Sequence, residues 1–182
     1  MTENAEVVTI DASRPDPGIL ANAARVIMEG HLVVMPTETR YGLIARADRP
    51  DSVLQLYRLK KRSTTAPTAV FIKSYDRFDA YGVRSGFTDA LAASFLPGPL
   101  TIVTRAVIDW SPPLVVDGKI GLRISSSPVV SELLSRLPVP LTATSANISG
   151  SPEGETVGEI VESFGDHIRL YVDAGRLTGK TS

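Results

Sequence analysis

The chain has 182 residues, 43% of them apolar, which is enough for one domain with a real core. Nineteen basic and twenty acidic residues leave a net charge of -1, so no global field draws the protein onto nucleic acid or an acidic membrane, and any basic site must be local. With no cysteine and only His31 and His167, disulfides, thiolate metal sites and histidine-rich metal sites are excluded. No apolar run approaches the roughly 18 residues of a membrane span. The first ten residues, with Glu3 and Glu6, lack the basic-then-apolar order of a signal peptide, which fits a cytoplasmic protein.

Val7, Val8 and Ile10 read as a short edge strand. Asp16-Pro17 supplies an N-cap followed by proline at the first helical position, and Ile19, Leu20, Ala23, Val26 and Ile27 recur at helical spacing on one face. Gly30 falls where a left-handed C-terminal cap belongs. Leu32 to Met35 is then a β-branched apolar run that stops at Pro36 and gives way to Thr37, Glu38, Thr39 and Arg40. In an α/β sheet, ligands sit beyond the carboxyl ends of strands, so Thr37, Glu38 and Thr39 stand where hydroxyl and N–H donors meet a substrate; an ordinary strand exit has the same punctuation.

Asp51-Ser52 is expected to cap a second helix that buries Val53, Leu54, Leu56 and Tyr57 and ends near Leu59. Lys60 and Arg62 follow, two residues apart, a spacing that puts both charges on one side of an extended loop. With Ser63, Thr64, Thr65 and Pro67 behind them they suit a phosphate-binding loop, or a solvated basic helix end. Thr68 to Ile72 is a strand, residues 75–86 a polar connection, and Thr88 the expected cap of a helix bearing Ala90, Leu91, Ala93 and Phe95. That helix stops at Leu96-Pro97-Gly98-Pro99. A strand begins at Leu100, Ile102 and Val103. Trp110-Ser111-Pro112-Pro113 is a loop or lid whose tryptophan packs rather than stacks on bases.

Lys119 to Ile124 alternates as a strand with Arg123 opposite Leu122 and Ile124, either an exposed sheet residue or a carboxylate clamp. Pro128 opens a helix with Val129, Val130, Leu133 and Leu134. Leu141 to Thr144 is a strand whose exit, Ser145 to Gly150, is a second strand-end site rich in hydroxyls and amides. Thr156 and Glu159 have capping-box spacing, and Ile168 to Val172 is the last strand. The alternation of strands and helices predicts an α/β fold.

Five pieces therefore stand in one order: Pro36-Thr37-Glu38-Thr39-Arg40-Tyr41-Gly42-Leu43, Lys60-x-Arg62 with Pro67, Leu96-Pro97-Gly98-Pro99-Leu100-Thr101, Gly121-Leu122-Arg123, and Ser145-Ala146-Asn147. Together they resemble the YrdC/YciO-type family. The resemblance implies a single YrdC-like domain over residues 1–182, motif-bearing from about residue 17. Its fold would be a twisted mixed sheet flanked by helices, with a concave, positively lined cavity. It implies synthesis of threonylcarbamoyl-AMP from L-threonine, bicarbonate and ATP with release of pyrophosphate, for the threonylcarbamoyladenosine modification of tRNA.

By motif, Lys60, Arg62, Ser145 and Asn147 resemble the nucleotide site, with Lys60 and Arg62 catalytic. Thr37, Thr39, Arg123 and Ser182 resemble the threonine site. No protein metal site is implied, since Mg2+ would accompany the phosphates; tRNA-modification proteins are implied partners, with RNA binding alongside and no membrane. Ile44, Ala66 and Phe71 depart from the family pattern. The rival readings are a YciO-like RNA- or nucleotide-binding relative with little synthase activity, a carbamoyl-adenylate module of the HypF kind, and a plain RNA-binding module.

Overall fold

The structure, a computed structural model, describes residues 5–110 and 112–179. Glu6–Thr9 (β1) is the expected edge strand. Pro17–Met28 (α1) begins as its sequence dictates: the Asp16 carboxylate accepts from Gly18 N and Ile19 N at 2.8 and 3.0 Å. It buries Leu20, Ala23, Val26 and Ile27. Gly30, at φ +98°, closes the helix through Gly30 N to Ile27 O and His31 N to Val26 O, the paired bonds of a Schellman turn.

Val33–Pro36 (β2) is buried at every position. The chain does not leave it for an open loop, as the sequence suggested, but turns back through residues 37–40 into Tyr41–Ile44 (β3), paired antiparallel with Pro36 opposite Tyr41. Pro50–Leu59 (α2) also differs from expectation. Its N-cap is Arg49, without a side-chain bond, because Pro50 already fixes the first turn. Ser52 lies inside the helix, buried, its Oγ donating to Gly30 O at 2.8 Å. Starting the helix there turns Leu54 outward, 37% exposed, while Val53, Leu56 and Tyr57 face the core.

Ala69–Phe71 (β4) is followed by a 3-10 turn, Tyr75–Ala80, that buries Phe78. Gly86–Phe95 (α3) is capped by Ser85 rather than Thr88. Thr88 sits at the third helical position and completes the box, its N donating to Ser85 Oγ and its own Oγ1 accepting from Ser85 N. The buried residues of α3 are Thr88 and Ala92, and Phe95 lies on the surface. Then come Ile102–Arg105 (β5), Val115–Val116 (β6), Lys119–Arg123 (β7), Pro128–Ser135 (α4), Leu141–Ala143 (β8), Val157–Phe164 (α5) and Leu170–Asp173 (β9). Trp110 packs on Tyr81 with ring centroids 5.8 Å apart.

The strands form two mixed sheets, β1-β9-β2-β3 and β5-β7-β4-β8, with β6 pairing β7. Edge strand β3 meets edge strand β8: Leu43 N donates to Thr144 O, Thr142 N to Ala45 O and Ala146 N to Tyr41 O, at 2.8–2.9 Å. Alternation in β2 divides the core. Leu32 and Val34 join the cluster packed by α2 and α5, and Val33 and Met35 the cluster packed by α1 and α4. Helices on both faces explain why β2 and β3 are apolar throughout rather than alternating. Their carboxyl and amino ends, with those of β7 and β8, converge on one place.

Candidate active site where the two sheets meet

That place is a cavity of about 500 Å³. Thr37, Thr39, Arg40, Tyr41 and Gly42 of the hairpin line one side; Phe71 and Arg123, at the ends of β4 and β7, line another. The remaining wall is Pro99-Leu100-Thr101, Ala143-Thr144-Ser145 and Glu153. Both expected site threonines, Thr37 and Thr39, thus line one cavity with Arg123 and Ser145.

The hairpin turn is built by Thr37. Its Oγ1 accepts from Thr39 N and Arg40 N at 3.2 and 3.3 Å and donates to Arg40 O at 2.6 Å. Thr39 Oγ1 lies 3.2 Å from it, leaving Thr39 the hydroxyl less committed to the turn. Gly42 is needed for packing. A Cβ there would stand 3.1 Å from Thr37 Cγ2 and 3.2 Å from Ile44 Cδ1.

Arg123 is buried, not an exposed sheet residue, and it is already a carboxylate clamp. Its Nε and Nη2 donate to Glu38 Oε1 at 3.1 and 2.6 Å, and the Ser125 hydroxyl donates to Glu38 Oε2. The two side chains are 7% and 11% exposed. The guanidinium carbon stands 5.6 Å from the Phe71 ring centroid.

Lys60 and Arg62 reach the site by a different route from the expected extended loop. Lys61 takes a left-handed conformation, φ +50°, and Lys61 N to Arg58 O with Arg62 N to Tyr57 O closes α2 in a second Schellman turn. The Lys60 side chain then runs inward. Its ammonium, in a residue only 2% exposed, donates to Ser145 O, to Asn147 O at 2.8 Å and to Asn147 Oδ1 at 3.2 Å. Burial, and secondarily the Arg62 charge, pull its pKa down to about 8, with Glu153 opposing.

Asn147 Oδ1 also accepts from Ser145 Oγ at 2.7 Å, and Asn147 Nδ2 donates to Ser151 O at 2.7 Å. The loop after β8 is therefore folded around the lysine. Arg62 Nη2 donates to Pro67 O at 2.6 Å, and Nη1 reaches Thr144 Oγ1 at 3.5 Å. Of this expected quartet, Ser145 lines the cavity, while Lys60, Arg62 and Asn147 do not, Asn147 lining a separate pocket with Ile148 and Ser151.

Glu38 stood at the expected strand-exit site without a role of its own, and neither Arg40 nor Glu153 was expected there. Arg40 Nη1 donates to Glu155 Oε1 at 3.1 Å and Leu177 O at 2.7 Å, while its Nε faces Glu153 Oε2 at 3.8 Å, neither atom hydrogen-bonded. These partners lie over a hundred residues away, so no local pattern marks them. The Tyr41 hydroxyl donates to Gly175 O at 2.6 Å, bonds Asp173 and accepts from Ala174 N, and burial raises its pKa. These contacts lead the carboxyl-terminal segment past the hairpin turn. Ser182 lies outside the described residues. The lining offers guanidinium groups, hydroxyls and main-chain amides, a set suited to holding anions rather than to nucleophilic attack.

The chain is similar in sequence and in fold to known proteins. The model of the Sua5/YciO/YrdC family, described as "Telomere recombination", matches residues 25–182. Threonylcarbamoyl-AMP synthase of Bacillus subtilis is 32% identical over 171 residues, 92% of this chain and 49% of that protein. The protein of that name from Photobacterium profundum is 30% identical over 160 residues, 85% of each chain. The crystal structure of Pyrococcus abyssi Sua5 complexed with L-threonine has a TM-score of 0.85 at 29% identity, over 94% of this chain and 51% of that one. Escherichia coli YciO, at 19% identity and a TM-score of 0.88, shares the fold. The chain thus spans about half the length of the Bacillus subtilis and Pyrococcus abyssi relatives. A family match from α1 to the last residue, joined to this fold, shows that the chain belongs to the Sua5/YciO/YrdC family.

Proposed function

We propose that this chain makes threonylcarbamoyl-AMP and pyrophosphate from L-threonine, bicarbonate and ATP, supplying the threonylcarbamoyl modification of tRNA. The observation that carries the reading is one cavity lined both by Arg123, Thr37 and Thr39 and by Ser145, whose loop is held by the Lys60 ammonium. The names of the relatives, and the threonine in the Pyrococcus abyssi complex, agree with it. Arg123 and Thr39 bind the amino acid; the Ser145–Asn147 loop binds the nucleotide.

The chemistry asks for little covalent help. Threonine amine and bicarbonate condense to a carbamate and water. The carbamate oxygen then attacks the α-phosphorus of ATP, and pyrophosphate leaves. Holding bicarbonate, the threonine carboxylate and the ATP phosphates at one place is the main task, and Arg62 supplies offsetting charge beside Arg40 and Arg123, which already carry carboxylate partners. Magnesium, which takes oxygen ligands and binds phosphates, would accompany ATP and offset its charge. The product would pass to tRNA-modification partner proteins.

Incubation with ATP, bicarbonate and isotope-labelled threonine, followed by mass spectrometry, tests this. The expected result is a labelled adenylate of the mass of threonylcarbamoyl-AMP. ATP binding without any labelled adenylate would favour a nucleotide-binding relative that lacks the synthase step.

A further inference from the structure

We propose that Glu38 is a positioning residue for the cavity, fixing the Arg123 guanidinium in the orientation that receives the carboxylate of the amino acid substrate. The proposal rests on the reading of Arg123 as the carboxylate-binding group and adds a residue that acts through it.

The geometry separates the two sides of the guanidinium. Glu38 Oε1 takes the Nε–Nη2 edge, and Nη1 is bonded to none of the described residues. Arg123 lines the cavity and Glu38 does not. Glu38 therefore occupies one edge of the guanidinium and leaves Nη1, on the Nη1–Nη2 fork that can grip a carboxylate with two parallel bonds, without a protein partner among the described residues, on an arginine that lines the cavity.

Glu38 is itself held on both sides. Ser125 bonds Oε2, and the turn that carries Glu38 is locked by the Thr37 hydroxyl. An arginine otherwise loses much rotamer freedom when it binds, and fixing it beforehand removes that cost from the binding step. Glu38 also gives the buried guanidinium a counter-charge while no ligand is present. The pair crosses from the hairpin of one sheet to the end of β7 in the other, so it sets the arginine relative to both walls.

Calorimetry with the full chain tests this, using L-threonine, L-threoninamide and ATP as separate ligands. In Glu38→Ala, threonine binding should weaken about tenfold. Threoninamide and ATP should change by less than about twofold, a loss of carboxylate preference that general loosening of the fold would not produce. Glu38→Gln keeps an acceptor oxygen in place and should recover most of the loss. Unchanged or tighter threonine binding in Glu38→Ala, with Arg123→Ala still weakening it, would overturn the proposal and show Glu38 to be idle or a competitor for the guanidinium. If Arg123→Ala itself left threonine binding unchanged, the reading of Arg123 would fall first and the proposal with it. Should Glu38→Ala not fold, Ser125→Ala, which frees Oε2 and also removes the oxygen that accepts from Ser127 N at 3.1 Å, carries the same test, and an unaltered preference for threonine over threoninamide in it would overturn the proposal equally.

Discussion

Lys60 is the side chain whose surroundings say most about how charge is managed here. Its ammonium, surrounded by main-chain and amide oxygens of residues 145–147, titrates near 8 instead of the ordinary 10.5. The folded pKa lies below the unfolded one. Between those values the unfolded chain holds a proton that the folded chain has released, so stability contributed at this position rises with pH across the window. Below about pH 8 the cost of burying the charge is fully present. Urea denaturation at about pH 7.5 and about pH 9.5 should show wild type gaining on Lys60→Met by an amount on the order of 1–2 kcal/mol, since a tenfold change in a protonation equilibrium is worth about 1.4 kcal/mol. A parallel pH dependence in the two proteins would mean that Lys60 keeps its ordinary pKa. Turnover should fall over the same pH range if the charge on Lys60, and not only its hydrogen bonds, organises the loop.

Helices α1 and α2 end in the same Schellman turn, one with glycine at the left-handed position and the other with Lys61. The left-handed conformation strains a lysine, so Lys61→Gly should stabilise the fold by about 0.5–1 kcal/mol and leave the Lys60 contacts in place. Thermal denaturation checks the first part and ATP affinity the second. Within α2, Leu56 is fully buried and Leu54 is 37% exposed. Leu56→Ala should cost about 2–5 kcal/mol and Leu54→Ala less than about 0.5 kcal/mol.

The contrast between those two leucines also shows where the sequence was readable. Periodicity, Asp16-Pro17 and Gly30 defined α1 closely, because each acts within a few residues of itself. The same signals at Asp51-Ser52 and Thr88 misplaced the caps, since Pro50 and Ser85 compete for the same first turns. Strand β3 went unread because Tyr41–Ile44, buried on both faces, has no alternation to betray it. Motif order made Lys60, Arg62, Arg123, Ser145 and Asn147 readable as site candidates, and Arg123 and Ser145 line the cavity. The internal wiring was not readable: Glu38 with Arg123 and Lys60 with Asn147 are pairs made by the meeting of two sheets.

At the scale of the whole molecule, the cavity exists because β3 and β8 meet, so ligands that bridge it should tie the two sheets together. Threonine and ATP should raise the midpoint of thermal unfolding, as any ligand that binds only the folded state does. Hydrogen exchange should slow at residues 39–43 and 143–147, where main-chain bonds cross the junction. Protection confined to one sheet would place a ligand elsewhere. The central claim, that one cavity joins an amino acid to a nucleotide, is tested most directly by initial rates of pyrophosphate release with each reactant omitted in turn. Release should require threonine, bicarbonate and ATP together and should saturate with threonine. Release that proceeds equally well without threonine, or no release with all three present, would contradict it.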